Sequence, residues 1–451
     1  MKWIDSVLTN TKTDKNMKMK LSLLTSLMFL LTSCGTTTTS FQTEADVLLN
    51  FQNDYPELES LSKTTRISPH FLKKFAIKEN YIPFEDSQED FIKTIHVSVH
   101  IWQRADGTGN LIENNETLER FKMIEIWLDN SYHKNQEFSL PLPYETIYVE
   151  HPKLNIVIDS VYFYRDQTKD SSLFYCNNDY QHNKKLDKYL KENHPERLNS
   201  IPLHIVSGYY RTAWGFAHGG SILTFNIANG TDMSQTDMAD YALSLHYTHE
   251  IGHALDLWHT YDAQGAWAQN CKEDYFDFLW DVYDTTAIKP CESRKNCDFC
   301  LIPKSDENNN IMGGGSAWYK SALQIGIMRR ATVTKNFYNR KFEVRDFVTG
   351  YSVTPIRVTE SEIWDFSLKF YQDLIIESGV TLIVKDELQF SPNTRIIIQP
   401  EAKLILDGGI LRNENYYQST WEGVHIVRPI NKEKAGVFEI INHGEIRDNR
   451  Q

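Results

Sequence analysis

His249 and His253 stand four residues apart in His249-Glu250-Ile251-Gly252-His253, and His259 follows six residues later. On an α-helix, positions i and i+4 lie one above the other on one face, so the two imidazoles can reach a single metal ion. Glu250 sits about 100° round the helix, close enough to touch water on that ion without binding the ion itself. A straight helix would carry His259 to the wrong side. The spacing therefore predicts that the helix ends near Asp256 and that the chain turns back. Three His nitrogens then leave one open position on a tetrahedral ion, the arrangement of catalytic zinc. Zinc lowers the pKa of its bound water toward neutrality, and Glu250 can take that proton. Imidazole ligands suit redox-inert zinc, although ligand type alone admits other metals.

The bland alternative is a solvated polar helix face. Tyr241, Leu245, Ile251, Ala254 and Leu255 flank the histidines and are mostly apolar, which predicts a buried helix. Buried histidines without a shared partner are costly, so the metal site is the better reading. His246 lies one turn before His249 and is read as structural. A different ligand set would keep His249 and His253 and recruit Glu273 in place of His259.

The segment resembles the metzincin metalloproteases, whose signature is H-E-x-x-H-x-x-G-x-x-H. Trp258-His259-Thr260-Tyr261 looks like the pappalysin/cytophagalysin branch, and Asp281-Val282-Tyr283-Asp284-Thr285-Thr286 resembles that branch's D-x-x-D-T-P element. Asn309-Asn310-Ile311-Met312 resembles its Met-turn. The resemblance implies that Met312 forms an apolar floor under the three imidazoles, with Gln324 to Arg329 in the C-terminal helix. Two departures stand out. The turn glycine is replaced by Asp256, which tolerates positive φ better than most residues. The tyrosine that the branch carries two residues after the methionine is replaced by Gly314, and Tyr319 is the candidate to stabilise the transition state instead. The acidic loop at 281–284 offers ligands for a structural Ca2+.

The elements that must position these residues follow from periodicity. Ile95 to Trp102 reads as a strand, closed by the turn Asp106-Gly107-Thr108-Gly109. Glu116 to Tyr132 reads as an amphipathic helix, with Leu118, Phe121, Ile124 and Leu128 at helical spacing. Asn155 to Tyr164, Ile201 to Val206 and Gly219 to Asn226 read as further strands, and a long helix follows from about Asp237 to Leu255. By the resemblance, Ser221 to Asn226 would be the edge strand to which an extended peptide substrate adds. This order predicts an α/β (α+β) domain with a mixed sheet over residues 91–335.

Residues 1–33 read as a signal peptide of the lipoprotein type. Lys18 and Lys20 precede the apolar run Leu21 to Leu31, which is too short to span a bilayer. The sequence Leu31-Thr32-Ser33-Cys34 resembles a bacterial lipobox, in which Cys34 becomes the lipidated first residue. Acyl chains there would tether the protein to the cell envelope, with the outer membrane the expected site; an unused lipobox would leave it secreted. Residues 34–90 form a Thr/Ser-rich tether and a helical segment, including Phe71 and Phe75, expected to pack on the domain that follows. Of the other cysteines, Cys271, Cys291, Cys297 and Cys300 cluster. They could form two local disulfides, leaving Cys176 free, or Cys297 and Cys300 could belong to a zinc knot. The chain of 451 residues has an ordinary hydrophobic content of 41% and a net charge of −13. That balance excludes wholesale disorder and argues against a nucleic-acid partner.

Residues 340–451 have a different texture. Ile375-Ile376-Glu377-Ser378-Gly379-Val380 recurs 22 residues on as Ile397-Ile398-Gln399-Pro400-Glu401-Ala402. Leu404 to Ile410 is echoed by Ile440 to Ile446. Such repeats predict a small all-β, parallel β-helix-like domain. The sequence stops within the third repeat, so either the preceding domain caps the stack or the chain is truncated.

These readings converge on an exported zinc-dependent endopeptidase acting on peptide or protein substrates. Glu250 is the catalytic base, and His249, His253 and His259 are the ligands. The competing expectation is a catalytically degenerate surface lipoprotein that binds glycan or protein. A β-helix polysaccharide lyase is weaker, because the repeats show no clustered Asp/Arg set.

Overall fold

The run Lys93–Gln103 alternates Ile95, Val97, Val99 and Ile101 with His96, Ser98, His100 and Trp102, and both sets are buried. A strand covered on both faces belongs in the middle of a sheet. In the computed structural model it is β1, paired in parallel with β2 (Leu154–Arg165) on one side and β4 (Ile201–Tyr209) on the other. The residues described are 71, 74–137, 147–169, 171–177, 179, 181–209, 215–218, 221–225, 237–260, 279, 281–290, 299–303, 309–313, 318–334, 343–414, 420–429 and 434–447. The expected leader, Cys34 and most of the tether lie outside them. Residues Thr65–Gln451 form one unit, described here by itself.

The sheet has seven strands in the order β2-β1-β4-β6-β5, with β3 (Tyr175–Asn177) on β4 and β9 (Val348–Gly350) on β1. Parallel neighbours need a crossover, and α1 (Asn115–His133) supplies the one between β1 and β2. The Asn114 side chain accepts from Thr117 N and caps α1, which buries Phe121, Ile124, Leu128 and Tyr132. A second helix, α2 (His182–Asn193), precedes β4 and was not expected.

The expected edge strand is corrected. Ser221–Phe225 (β6) lies between β4 and β5, because Ile222 and Leu223 are both fully buried and need cover on each face. The strand at that end of the order is β5 (Gly215–His218), antiparallel to β6. Four residues with a glycine carry no periodic signal, which is why it was missed. Two further strands, β7 (Tyr283–Pro290) and β8 (Phe299–Pro303), form a separate antiparallel pair.

Helix α3 (Asp237–Ala254), which carries His249 and His253, packs on α1, and α4 (Ala322–Ala331) closes the first region. The chain then returns to the first sheet through β9, so the repeats begin at Ile356 rather than at 340. Twelve short strands, β10 (Ile356–Val358) to β21 (Glu445–Ile446), stack in three four-stranded parallel sheets. That gives four coils, one more than expected. The first escaped notice because Ile356 lies opposite Leu374, a shorter offset than the one linking Ile375 to Ile397. The last register also shifts: Leu404 lies opposite Phe438, two residues before the expected Ile440.

Inward residues of the middle coils, such as Ile376, Val384, Phe390, Ile398 and Leu406, are fully buried. Each coil hides them only by stacking on the next. Trp364, Phe370, Phe390 and Trp421 form a stacked aromatic column, with ring centroids 5.9, 5.2 and 4.6 Å apart. The N-terminal end of the stack is covered by Phe71 and Phe75, which pack on Phe366 and Trp364. Those phenylalanines thus reach past the first domain, while Ala76 O accepts from Arg330 in α4. Lys369 ties the two regions together: its buried Nζ donates to Arg345 O and Val348 O and pairs with Glu414 at 2.7 Å. No described helix is long and apolar enough to cross a membrane.

Candidate metal centre

Helix α3 ends as the histidine spacing requires. Leu257 N donates to Gly252 O at 3.0 Å and Asp256 N to His253 O at 3.1 Å. That pair of bonds is a Schellman ending, which needs one residue in the left-handed region. Asp256 occupies it with φ 70°, standing where glycine is usual. The reversal returns the chain toward the helix, and Thr260 N then donates to Met312 O at 3.0 Å. Between those two anchors, His259 is brought back over the helix.

The three imidazoles converge. His259 Nε2 lies 3.0 Å from His249 Nε2 and 3.0 Å from His253 Nε2. The outer nitrogens are committed elsewhere: His249 Nδ1 donates to Ile311 O and His253 Nδ1 to Leu257 O, both at 2.7 Å. A carbonyl can only accept, so these bonds hold the proton on Nδ1 and leave the Nε2 lone pair pointing inward. Burial keeps the His249 pKa below its ordinary value, which favours that neutral form. His259 has one Nε2 proton to give at most, so at least one 3.0 Å contact sets lone pair against lone pair. A cation between the nitrogens removes that repulsion. A tetrahedral zinc at its usual bond lengths spaces its nitrogens by about 3.3 Å, close to what is found. Among the described residues this is the one group of His, Cys, Asp and Glu placed to hold a metal ion, and all three histidines are partly accessible.

The floor is Met312, fully buried. A Cβ on Gly252 would meet its sulfur at 2.9 Å, so the bare backbone at Gly252 lets the methionine lie directly against the helix between the two ligands. The sequence signalled Met312 but not the part played by Gly252. Behind the helix, Tyr132 of α1 donates to Thr248 O at 2.8 Å, and Ser131 and Thr248 share a hydroxyl contact at 3.1 Å. These fix the turn that carries His249.

Glu250 is 4% exposed, and burial pushes its pKa up to about 8, with the Ala217 amide of β5 working against the shift. Its Oε2 has no hydrogen-bond partner among the described residues. His246, read as structural, places Nδ1 3.9 Å from Glu250 Oε1. The β5 contact to Glu250 was not legible in the sequence, since an amide is present on any non-proline residue.

Tyr319 is buried and bridges the Met-turn through its backbone, with Ile311 N donating to Tyr319 O and Tyr319 N to Asn309 O. Its phenol pKa is raised by burial and then by Asp281 and Tyr148. Asp281 accepts from Leu323 N at 2.9 Å, so one oxygen of this member of the acidic loop serves the first turn of α4. Cys176 is a buried free thiol. Cys271, Cys291, Cys297, Glu273 and Gly314 lie outside the described residues, as does the side chain of Cys300.

No family model matches the chain, and neither does any curated protein sequence.

Proposed function

We propose that the chain is a zinc-dependent endopeptidase of the metzincin type, exported and held to the cell envelope through Cys34. The observation that carries the reading is the convergence of three Nε2 atoms, with a buried carboxyl group next in the chain to His249. A zinc ion held by His249, His253 and His259 supplies a Lewis acid for a peptide carbonyl and acidifies water. Glu250 does the proton work. It takes a proton from the attacking water and delivers it to the departing amide nitrogen. The Ala217 N–H steadies one carboxyl oxygen while the other stays available. Among the described residues the sheet ends at β5, whose Ala217 amide meets this carboxyl, and an extended peptide can add there by backbone hydrogen bonds.

The metzincin type rests on the motif resemblance, together with the Asp256 turn and the Met312 floor. The β-helix-like coils form one unit with the sheet domain, which suits a fixed companion of the active site better than a loosely tethered module.

Metal analysis of purified protein, combined with a casein or gelatin assay with and without chelator, tests the reading. The expected result is about one equivalent of zinc and chelator-sensitive cleavage. Zinc without cleavage would favour a degenerate binding module, and a metal-free, inert protein would end the peptidase reading.

A further inference from the structure

We propose that Asn310 and Gln324 are positioning residues that set how tightly the three histidines hold their ion; this rests on the zinc reading above. Both side chains are fully buried. Asn310 Nδ2 donates to Gln324 Oε1 at 2.8 Å, and Gln324 Nε2 returns a bond to Asn310 Oδ1 at 3.1 Å. Backbone donors at Met312 N and Ser321 N, to Asn310 Oδ1 and Gln324 Oε1, fix which way each amide faces. Asn310 Oδ1 also accepts from Met312 N at 2.9 Å, an Asx turn that bends Asn310-Ile311-Met312. The bend aims two successive carbonyls at the site. Ile311 O takes the His249 Nδ1 proton, and Met312 O takes the amide of Thr260, the neighbour of His259.

Gln324 is anchored independently of the site. It is the N3 residue of the α4 capping box, in which its Oε1 accepts from Ser321 N at 3.0 Å and its backbone N–H donates to Ser321 Oγ at 3.2 Å. The first turn of α4 is in turn held by Asp281. A helix start on the far side of the Met-turn therefore determines where two of the three ligands point. Partners beyond the ligands themselves commonly change metal affinity by about 10–100-fold. A packing role alone would cost stability and leave the affinity of folded protein unchanged.

The test is zinc affinity, measured by competition with a chromogenic chelator, and the cobalt(II) absorption spectrum. Both are read on full-length wild type and on Gln324→Met, Asn310→Asp and the double variant, with circular dichroism reporting the fold. Gln324→Met keeps the volume and removes the amide. It is expected to bind zinc about 10–100-fold more weakly and to shift the cobalt spectrum, with the fold retained. The double variant should lose little more than the larger single loss, since both changes cut the same pair. A folded Gln324→Met with wild-type affinity overturns the proposal while leaving the zinc reading intact. Should that variant fail to fold, Asn310→Asp carries the same criterion, because it keeps the acceptor for Met312 N and replaces the donor to Gln324 with a carboxylate oxygen facing Gln324 Oε1. Wild type that takes up no zinc ends both.

Discussion

Among the described residues two clusters of histidines stand out, one partly accessible and one fully buried, and their hydrogen bonding differs. Around His249, His253 and His259, the outer nitrogens of His249 and His253 go to backbone carbonyls and the inner nitrogens are turned on one another. Around His100 and His204, each nitrogen has a partner of its own. His204 Nε2 meets Asp187 Oδ1 at 2.9 Å and its Nδ1 accepts from Trp102 Nε1 at 3.2 Å. His100 sits between Tyr164 OH and Ser98 Oγ at 3.0 and 2.8 Å. Ser221 donates to the second oxygen of Asp187, so the cluster ties α2 to β4 and β6. Residue type is the same in both places. What sets the first apart is electrostatic frustration that a cation would relieve, and the zinc proposal rests on it. The other is a satisfied polar core.

The largest effect separating the two lies at Glu250. Glu250→Gln keeps the shape of the buried site and removes its proton carrier. Cleavage of casein should fall by about 10³-fold or more while zinc content stays at the wild-type level. Undiminished turnover by this variant would remove Glu250 from the chemistry. The satisfied cluster should answer in the opposite sense. Asp187→Ala strips His204 and Ser221 of a shared acceptor in a buried setting, at a cost of about 2–4 kcal/mol in unfolding free energy. Its zinc stoichiometry should not change. Loss of zinc in proportion to loss of stability would mean that the two clusters are not separate devices.

Acid should also distinguish them. Burial, with His204, Arg197 and His194 adding to it, holds the His100 pKa well below the ordinary histidine value. The folded pKa is then lower than the unfolded one near 6.5, and between those two values the unfolded chain binds more protons. Stability from this group is complete above about pH 6.5 and is lost as pH falls toward the folded pKa, by up to about 1.4 kcal/mol per pH unit. In zinc-free protein, where His249 behaves in the same direction, His100→Asn should flatten part of the slope in urea unfolding between pH 5 and 7. Identical slopes for wild type and variant would show that His100 is not held neutral by the fold.

The contrast also explains what the sequence made legible. That His249, His253 and His259 come together could be read because helical period and side-chain identity are both written in the residues. The same holds for β1 and α1, whose apolar positions recur at the expected spacing. Met312 was readable through its Asn-Ile-Met context. The carbonyls of Ile311 and Leu257 were not, since any residue has one and only the fold decides where it points. Nor was the Asn310–Gln324 pair. The first coil was hidden by its shorter repeat, and the β5 edge by its length. What stayed illegible was supplied by the backbone rather than by side-chain pattern.

The smallest predicted effect tests that backbone contribution at Asp256. Asp256→Gly and Asp256→Ala both delete the carboxylate, so whatever the side chain contributes cancels between them. What remains is the left-handed conformation at φ 70°, which glycine adopts freely and alanine does not. The alanine variant should be less stable than the glycine variant by about 1 kcal/mol in urea unfolding. The same turn aims Leu257 O at His253 Nδ1, so the alanine variant should also bind zinc more weakly than the glycine variant. The His204 cluster, which takes nothing from this turn, should register neither change. Equal stabilities for the two variants would mean that the chain reaches His259 by another path, and the contrast between the clusters would then lose its geometric basis.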